Sequence, residues 1–152
     1  MDLAIAYRSD AIPWDLALDG ADLALDAGLR TAAVISLLTD RRAGADDALP
    51  DGGTDRRGWW ADAYAANAGD RIGSRLWLLD RAKQTRETAR AAEDYAREAL
   101  QWMTEDRVAA AVTATAEWRT RGVLALAVRI ERPDGSGVDV RFDDLWEAMD
   151  GI

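Results

Sequence analysis

The sequence contains no cysteine and no histidine. The first absence removes disulfides and thiolate metal sites, and the second removes the usual neutral-pH base and zinc ligand, so much of the common enzyme repertoire is excluded. Lysine is nearly missing too: Lys83 is the only one among 19 basic residues. Arginine's planar, weakly hydrated fork suits desolvated ion pairs at interfaces, although a GC-rich genome also produces such an Ala, Arg and Asp bias. No apolar run approaches the roughly 20 residues that span a bilayer, and no cationic start leads into an apolar segment, so the expectation is a cytosolic protein without a membrane partner. A net charge of −9 argues against direct nucleic-acid binding, which depends on clustered cations.

What is present fits one domain of 152 residues, enough for a single core. Residues 1–25 alternate in short pieces, with Leu3, Ile5 and Tyr7, then Trp14, Leu16 and Leu18 before an Asp19-Gly20 turn, and read as an extended arm or short strands. In "DAGLRTAAVISLLTD", Asp26 offers an N-cap and Leu29, Ala33, Val34, Leu37 and Leu38 share one face, which predicts a helix over about 27–39. Residues 40–71 show neither period and include "DDALPDGGTD" and "DRRGWWAD". A connection that long is usually functional or disordered, and its tryptophans favour order by packing.

Ser74 can cap a short helix carrying Leu76, Trp77 and Leu79. Thr85 can cap a longer helix over 86–104, with Glu87 in its first turn and Ala89, Ala92, Ala96, Ala99, Leu100 and Met103 in one stripe. From Val108 the period becomes 2: Val112, Ala114, Ala116 and Trp118, then Leu124, Leu126, Val128 and Ile130, then Val138, Val140 and Phe142 line one face, with turns at "RTRG" and "RPDGSG". The fold class expected is α+β: an N-terminal arm and helices followed by a three-stranded antiparallel meander over 108–143, packed on the long helix.

Chemistry finds little purchase. A glycosidase needs two carboxylates across a sugar, one with a raised pKa, but the acidic residues here fall at turns, helix starts and solvent faces. "DDALPDGGTD" lacks EF-hand spacing and its closing glutamate. No catalytic, cofactor-binding or metal-binding residue is assigned. The pair Trp59-Trp60 beside Arg56 and Arg57 is a packed loop anchor, a protein interface or a stacking platform for sugars or bases, the last disfavoured by the acidic balance; Trp and Arg are the residues most enriched at the energetic centres of interfaces.

Taken together, "SLLTDRRA", "LPDGGTDRRGWWAD", "GDRIGSRLWLLDRAKQT", "AEDYAREALQW" and "RPDG", closing on "FDDLWEA", resemble the baseplate protein family of Mu-like contractile-tailed phages and prophages. That family is similar to the baseplate wedge and sheath-initiator proteins, which include a lysozyme-related wedge component of T-even phages and parts of bacterial contractile injection systems. The resemblance implies a structural, non-enzymatic virion component. Its implied partners are other wedge proteins, the tail tube and sheath subunits, and its implied state is a ring in the assembled tail, after assembly in the host cytoplasm. Where the wider family opens its sheet with Glu-Pro-Arg, this chain has Glu105-Asp106-Arg107. The resemblance makes Glu105 and Arg107 interface residues, and makes the last strand, Val138, Val140 and Phe142, an edge that a sheath strand extends. The competing expectations are a tail-associated muramidase and a small carbohydrate-binding module using Trp59 and Trp60.

Overall fold

The computed structural model describes residues 2–7, 14–16, 18–19, 22–23, 25–26, 29–50, 52–66 and 71–150. The arm is a set of short strands, β1 (Asp2–Leu3), β2 (Ile5–Tyr7), β3 (Trp14–Leu16), β4 (Leu18–Asp19), β5 (Asp22–Leu23) and β6 (Leu25–Asp26), paired antiparallel as β1 with β6, β2 with β3 and β4 with β5. Strand pairing overrides the predicted cap: Asp26 stands opposite Asp2 in β6, and helix α1 spans only Arg30–Leu38, entered from Leu29 without a side-chain cap. Gly20, the predicted turn residue, lies outside the described residues. Thr31 on α1 donates through Oγ1 to the Leu3 carbonyl at 3.3 Å and so ties the arm to the helix.

Helix α2 runs Arg86–Ala99, and Thr85 accepts the Thr88 N–H at 3.2 Å as its N-cap. The predicted stripe is buried from Ala89 to Met103, but the single helix expected over 86–104 is two. Leu100, at φ −104° and ψ 4°, separates α2 from α3 (Gln101–Glu105), its N–H shared between the Ala96 and Arg97 carbonyls at 3.3 Å each. Strands β7 (Ala111–Thr120), β8 (Val123–Glu131) and β9 (Gly137–Phe142) form the antiparallel meander in the order β7-β8-β9, and α4 (Leu145–Asp150) follows. The fold class is α+β, as the periods imply. Leu124, Leu126, Val128 and Ile130 of β8 are buried against the alanine stripe of α2, α1 and Leu145 of α4. Trp118 Nε1 donates to the Thr85 carbonyl at 2.9 Å, closing the helix cap onto the sheet.

The strand does not begin at Val108. Arg107 has φ 59°, its N–H donates to the Thr104 carbonyl at 3.2 Å, and the Val108 N–H donates to the Met103 carbonyl at 2.8 Å. These two bonds are the Schellman pattern that closes a helix C-terminus, so Glu105-Asp106-Arg107 is a helix cap and β7 starts at Ala111. The Asp106 N–H donates to Trp102 O at 2.8 Å, a bond that proline could not make.

The register fixes which way each strand points its backbone. The Glu131 carbonyl accepts the Ala110 N–H at 2.7 Å and therefore faces β7. Successive residues alternate sides, so Val128 and Ile130 face β9, and their partners Val140 and Val138 face back to β8. The outward backbone groups of β9 belong to Gly137, Asp139 and Arg141. In agreement, Arg30 Nη1 reaches the Asp139 carbonyl at 3.4 Å from α1, and on the opposite edge Glu93 Oε1 accepts the Ala116 N–H at 3.0 Å.

Candidate functional site: an arginine-stapled loop displaying aromatics

Segment 40–71 is held along two lines. Ser74 N–H donates to the Thr39 carbonyl at 2.8 Å and Arg41 N–H to the Ser74 carbonyl at 2.9 Å, a parallel bridge between Asp40 and Ser74. Gly73 sits at φ 97° beside it; a Cβ there would lie 2.4 Å from the Thr39 carbonyl oxygen. Further out, the Ala43 N–H donates to the Arg56 carbonyl at 2.9 Å. Gly58, at φ 113°, passes so close to Arg42 that a Cβ would stand 2.7 Å from its side chain. Glycine in "RRGWW" is thus demanded by both dihedral and space.

The two arginines of that motif bond within the loop itself, although Arg57 stays about half exposed. Arg57 pairs through Nη1 with Asp40 Oδ2 at 2.9 Å and lays its guanidinium 4.6 Å from the Trp77 ring centroid. Arg56 donates to the Gly44 carbonyl and, at 3.0 Å, to the Ala45 carbonyl. The tryptophans turn outward: Trp59 is 45% exposed, Trp60 75% and Tyr64 81%. Their rings meet at steep angles, 51° for Trp59–Trp60 with centroids 5.9 Å apart and 67°, edge to face, for Trp60–Tyr64 at 6.4 Å, on a short 3-10 turn at Trp60–Tyr64. Trp60 and Tyr64 are too exposed to anchor the loop, whereas Trp59 is only about half exposed and the arginines bond within it.

Sequence reasoning missed the residue that joins this loop to the body. Arg75 donates through Nη1 to both Asp47 carboxylate oxygens at 2.9 and 3.1 Å and through Nε to Glu98 on α2 at 2.9 Å, with its guanidinium 4.6 Å from the Tyr95 ring centroid. Burial pushes the Asp47 pKa upward, but the Gly44 N–H and Arg75 outweigh it, and the carboxyl sits below its ordinary value. The sequence signal of Arg75 was a lone arginine between Ser74 and an apolar run; the short helix Leu76–Leu79 is entered from Arg75 without a side-chain cap, and Ser74, the expected cap, donates to the Leu37 carbonyl.

The other expected site residues are placed apart from the loop. Glu105 Oε1 accepts from Gln101 Nε2 at 2.6 Å, and no ion pair among the described residues joins Glu105 to Arg107; both are exposed. Val140 and Phe142 are buried and Val138 is half-buried on the core face, so β9 can offer a neighbour main chain rather than these side chains.

Among the described residues, three carboxyl groups have displaced pKa values, and all move down. Glu87 is lowered by its own N–H and by the Thr85 hydroxyl, Asp134 by the Ser136 hydroxyl and N–H, and Asp47 as above. No group of described residues has the composition of a metal site, and no described helix is long and apolar enough to cross a membrane.

Fold and site together define a small α+β protein with a long loop that is held by hydrogen bonds and ion pairs of its own arginines and exposes Trp60 and Tyr64 to solvent. The family model described as "Phage protein GP46" matches residues 29–137, and the chain belongs to that family. It is 46% identical over 148 residues to "Baseplate protein gp46" of Escherichia phage Mu, covering 97% of this chain and 99% of the relative. It is 39% identical over 145 residues to "Mu-like prophage FluMu protein gp46" of Haemophilus influenzae, covering 95% and 97%.

Proposed function

We propose that the chain is a structural component of a contractile phage or prophage-derived tail baseplate, which links wedge subunits to the tail tube and initiates sheath assembly. It acts by binding neighbours, in a ring within the virion, and not by catalysis. The near full-length likeness to a protein named for the Mu baseplate supports the location. The observation that carries the binding role is the exposed cluster of Trp59, Trp60 and Tyr64, in tilted and edge-to-face contact on a loop braced by its own hydrogen bonds. Such an apolar patch on a rigid support is the kind of surface that anchors interfaces. Trp60→Ser removes the most exposed ring of the Trp pair, so the isolated subunit is expected to melt within about 2 °C of the parent while its incorporation into baseplates collapses. Normal incorporation would remove the loop from the interface.

Sheath initiation is assigned to the outer edge of β9, where a partner strand can add by main-chain hydrogen bonding. A cavity of about 300 Å³ bordered by Ile5, Arg30 and Glu147 runs beside it. Because the outward N–H groups belong to Gly137, Asp139 and Arg141, the informative substitution is Arg141→Pro. It deletes an outward donor and leaves the bonds to β8 in place, whereas proline at Val140 breaks the sheet itself. Arg141→Pro subunits should enter baseplates that then fail to nucleate sheath; tails of full sheath length would exclude this edge.

A further inference from the structure

Between α1, the 3-10 turn of the loop and α3 lies an open pocket of about 460 Å³. Its walls are apolar: Ile35, itself 43% exposed on α1, Ile72, and the indoles of Trp59 and Trp102. The Trp102 ring is held in place by its Nε1 donation to Ser36 Oγ at 3.2 Å. Asp62 lines the same pocket. One of its carboxylate oxygens, Oδ1, accepts the Ile72 N–H at 3.2 Å; the other, Oδ2, is buried and has no hydrogen-bond partner among the described residues. Arg71, exposed at the pocket, leaves that oxygen without a donor.

A buried carboxylate oxygen lacking a donor costs free energy in the free subunit and recovers it when a donor arrives. The occupant must therefore bring N–H groups, and aromatic walls select a cation whose flat face can lie on an indole. The net charge of −9 favours a positive partner as well. We propose that this pocket receives an arginine side chain from a neighbouring protein subunit, its guanidinium lying against Trp59 and Trp102 and donating to Asp62 Oδ2 once the part-buried Asp62 side chain shifts to uncover that oxygen. The proposal rests on the reading of the aromatic loop as an interface and names the chemistry of its partner.

Asp62→Asn isolates the claim, because it keeps one carbonyl oxygen for the Ile72 N–H and replaces the acceptor at Oδ2 by an NH₂ group. The free variant should melt close to the parent temperature, since one unpartnered group replaces another and the bond to the Ile72 N–H is kept, while baseplate incorporation falls at least about tenfold, the usual scale for a lost charged hydrogen bond. In parallel, NMR titration of the parent with N-acetylarginine amide should shift the indole signals of Trp59 and Trp102, more than with the uncharged N-acetylcitrulline amide, and Asp62→Asn should abolish the difference. Normal incorporation of Asp62→Asn alongside failure of Trp60→Ser overturns the arginine pocket and spares the interface. Normal incorporation of both overturns both. A lowered melting temperature in Asp62→Asn, or equal shifts with the two probes, assigns Asp62 a purely internal role and overturns the pocket.

Discussion

Replacing Gly73 with alanine is expected to destabilise the protein by about 3–5 kcal/mol, lowering the melting temperature by roughly 10 °C. At φ 97° the backbone is in a region that a side chain disfavours, and the added methyl would sit 2.4 Å from the Thr39 carbonyl oxygen and 2.9 Å from the Arg41 nitrogen. Neither obstacle is a flexible side-chain end, so the chain itself must move. The movement breaks the two hydrogen bonds between Thr39-Arg41 and Ser74 and withdraws the Arg41 carbonyl that accepts Trp77 Nε1 at 2.8 Å. The same strip of backbone carries the root of the aromatic loop, so the variant should also lose baseplate incorporation. Thermal melts followed by circular dichroism measure the first effect; a variant as stable as the parent would mean that the bridge does not hold the loop.

The second large effect is expected at Arg75. Arg75→Ala takes the guanidinium from Asp47 and Glu98, whose side chains are 17% and 34% exposed, leaving Asp47 the Gly44 N–H and Glu98 the Arg41 guanidinium at 3.8 Å; it is expected to cost about 1–3 kcal/mol, below the loss at a fully buried pair because these partners remain and water still reaches the site. The cost should depend on pH. Asp47 ionises more readily in the folded chain than in the unfolded one, so its contribution is fully present above the unfolded carboxyl value of about 3.9 and is lost as pH falls through the lower folded value. Urea titrations at pH 7 and in acid should therefore show the gap between parent and Arg75→Ala narrowing below about pH 4. A gap of constant size would place the stabilisation in the packing of Arg75 on Tyr95 and not in the ion pair.

Periodicity made the body of the fold legible. The alanine stripe of α2, the Thr85 cap and the alternating faces of β7 to β9 follow from local pattern because each element buries one face against a single core. Boundaries decided by distant partners were not legible. Asp26 has the chemistry of a cap but is drawn into β6 by Asp2, 24 positions earlier in the chain. Val108 has the composition of a strand start but serves to close α3, because Arg107 takes a left-handed conformation without glycine.

The loop shows the same division more sharply. "DRRGWW" announces two arginines and two tryptophans together, yet nothing local says which of them the rest of the chain engages. Asp40 and Trp77, 17 residues before and 20 after Arg57, settle it by supplying a carboxylate and a ring for that guanidinium. Tyr64 extends the exposed cluster four residues beyond Trp60, a spacing that has meaning only once the turn is known. Arg75 and Asp62 escaped notice because their roles depend on Asp47, Glu98 and Ile72, none adjacent in sequence.

The most direct test of the central claim is hydroxyl-radical footprinting of the aromatic loop in the free subunit and in assembled baseplates. In the free subunit Trp59, Trp60 and Tyr64 should oxidise readily, as their exposure requires, while buried Trp77 is spared. In the assembled particle the account predicts that oxidation of all three falls to the level of Trp77. Equal oxidation of these rings in free subunit and baseplate would contradict it.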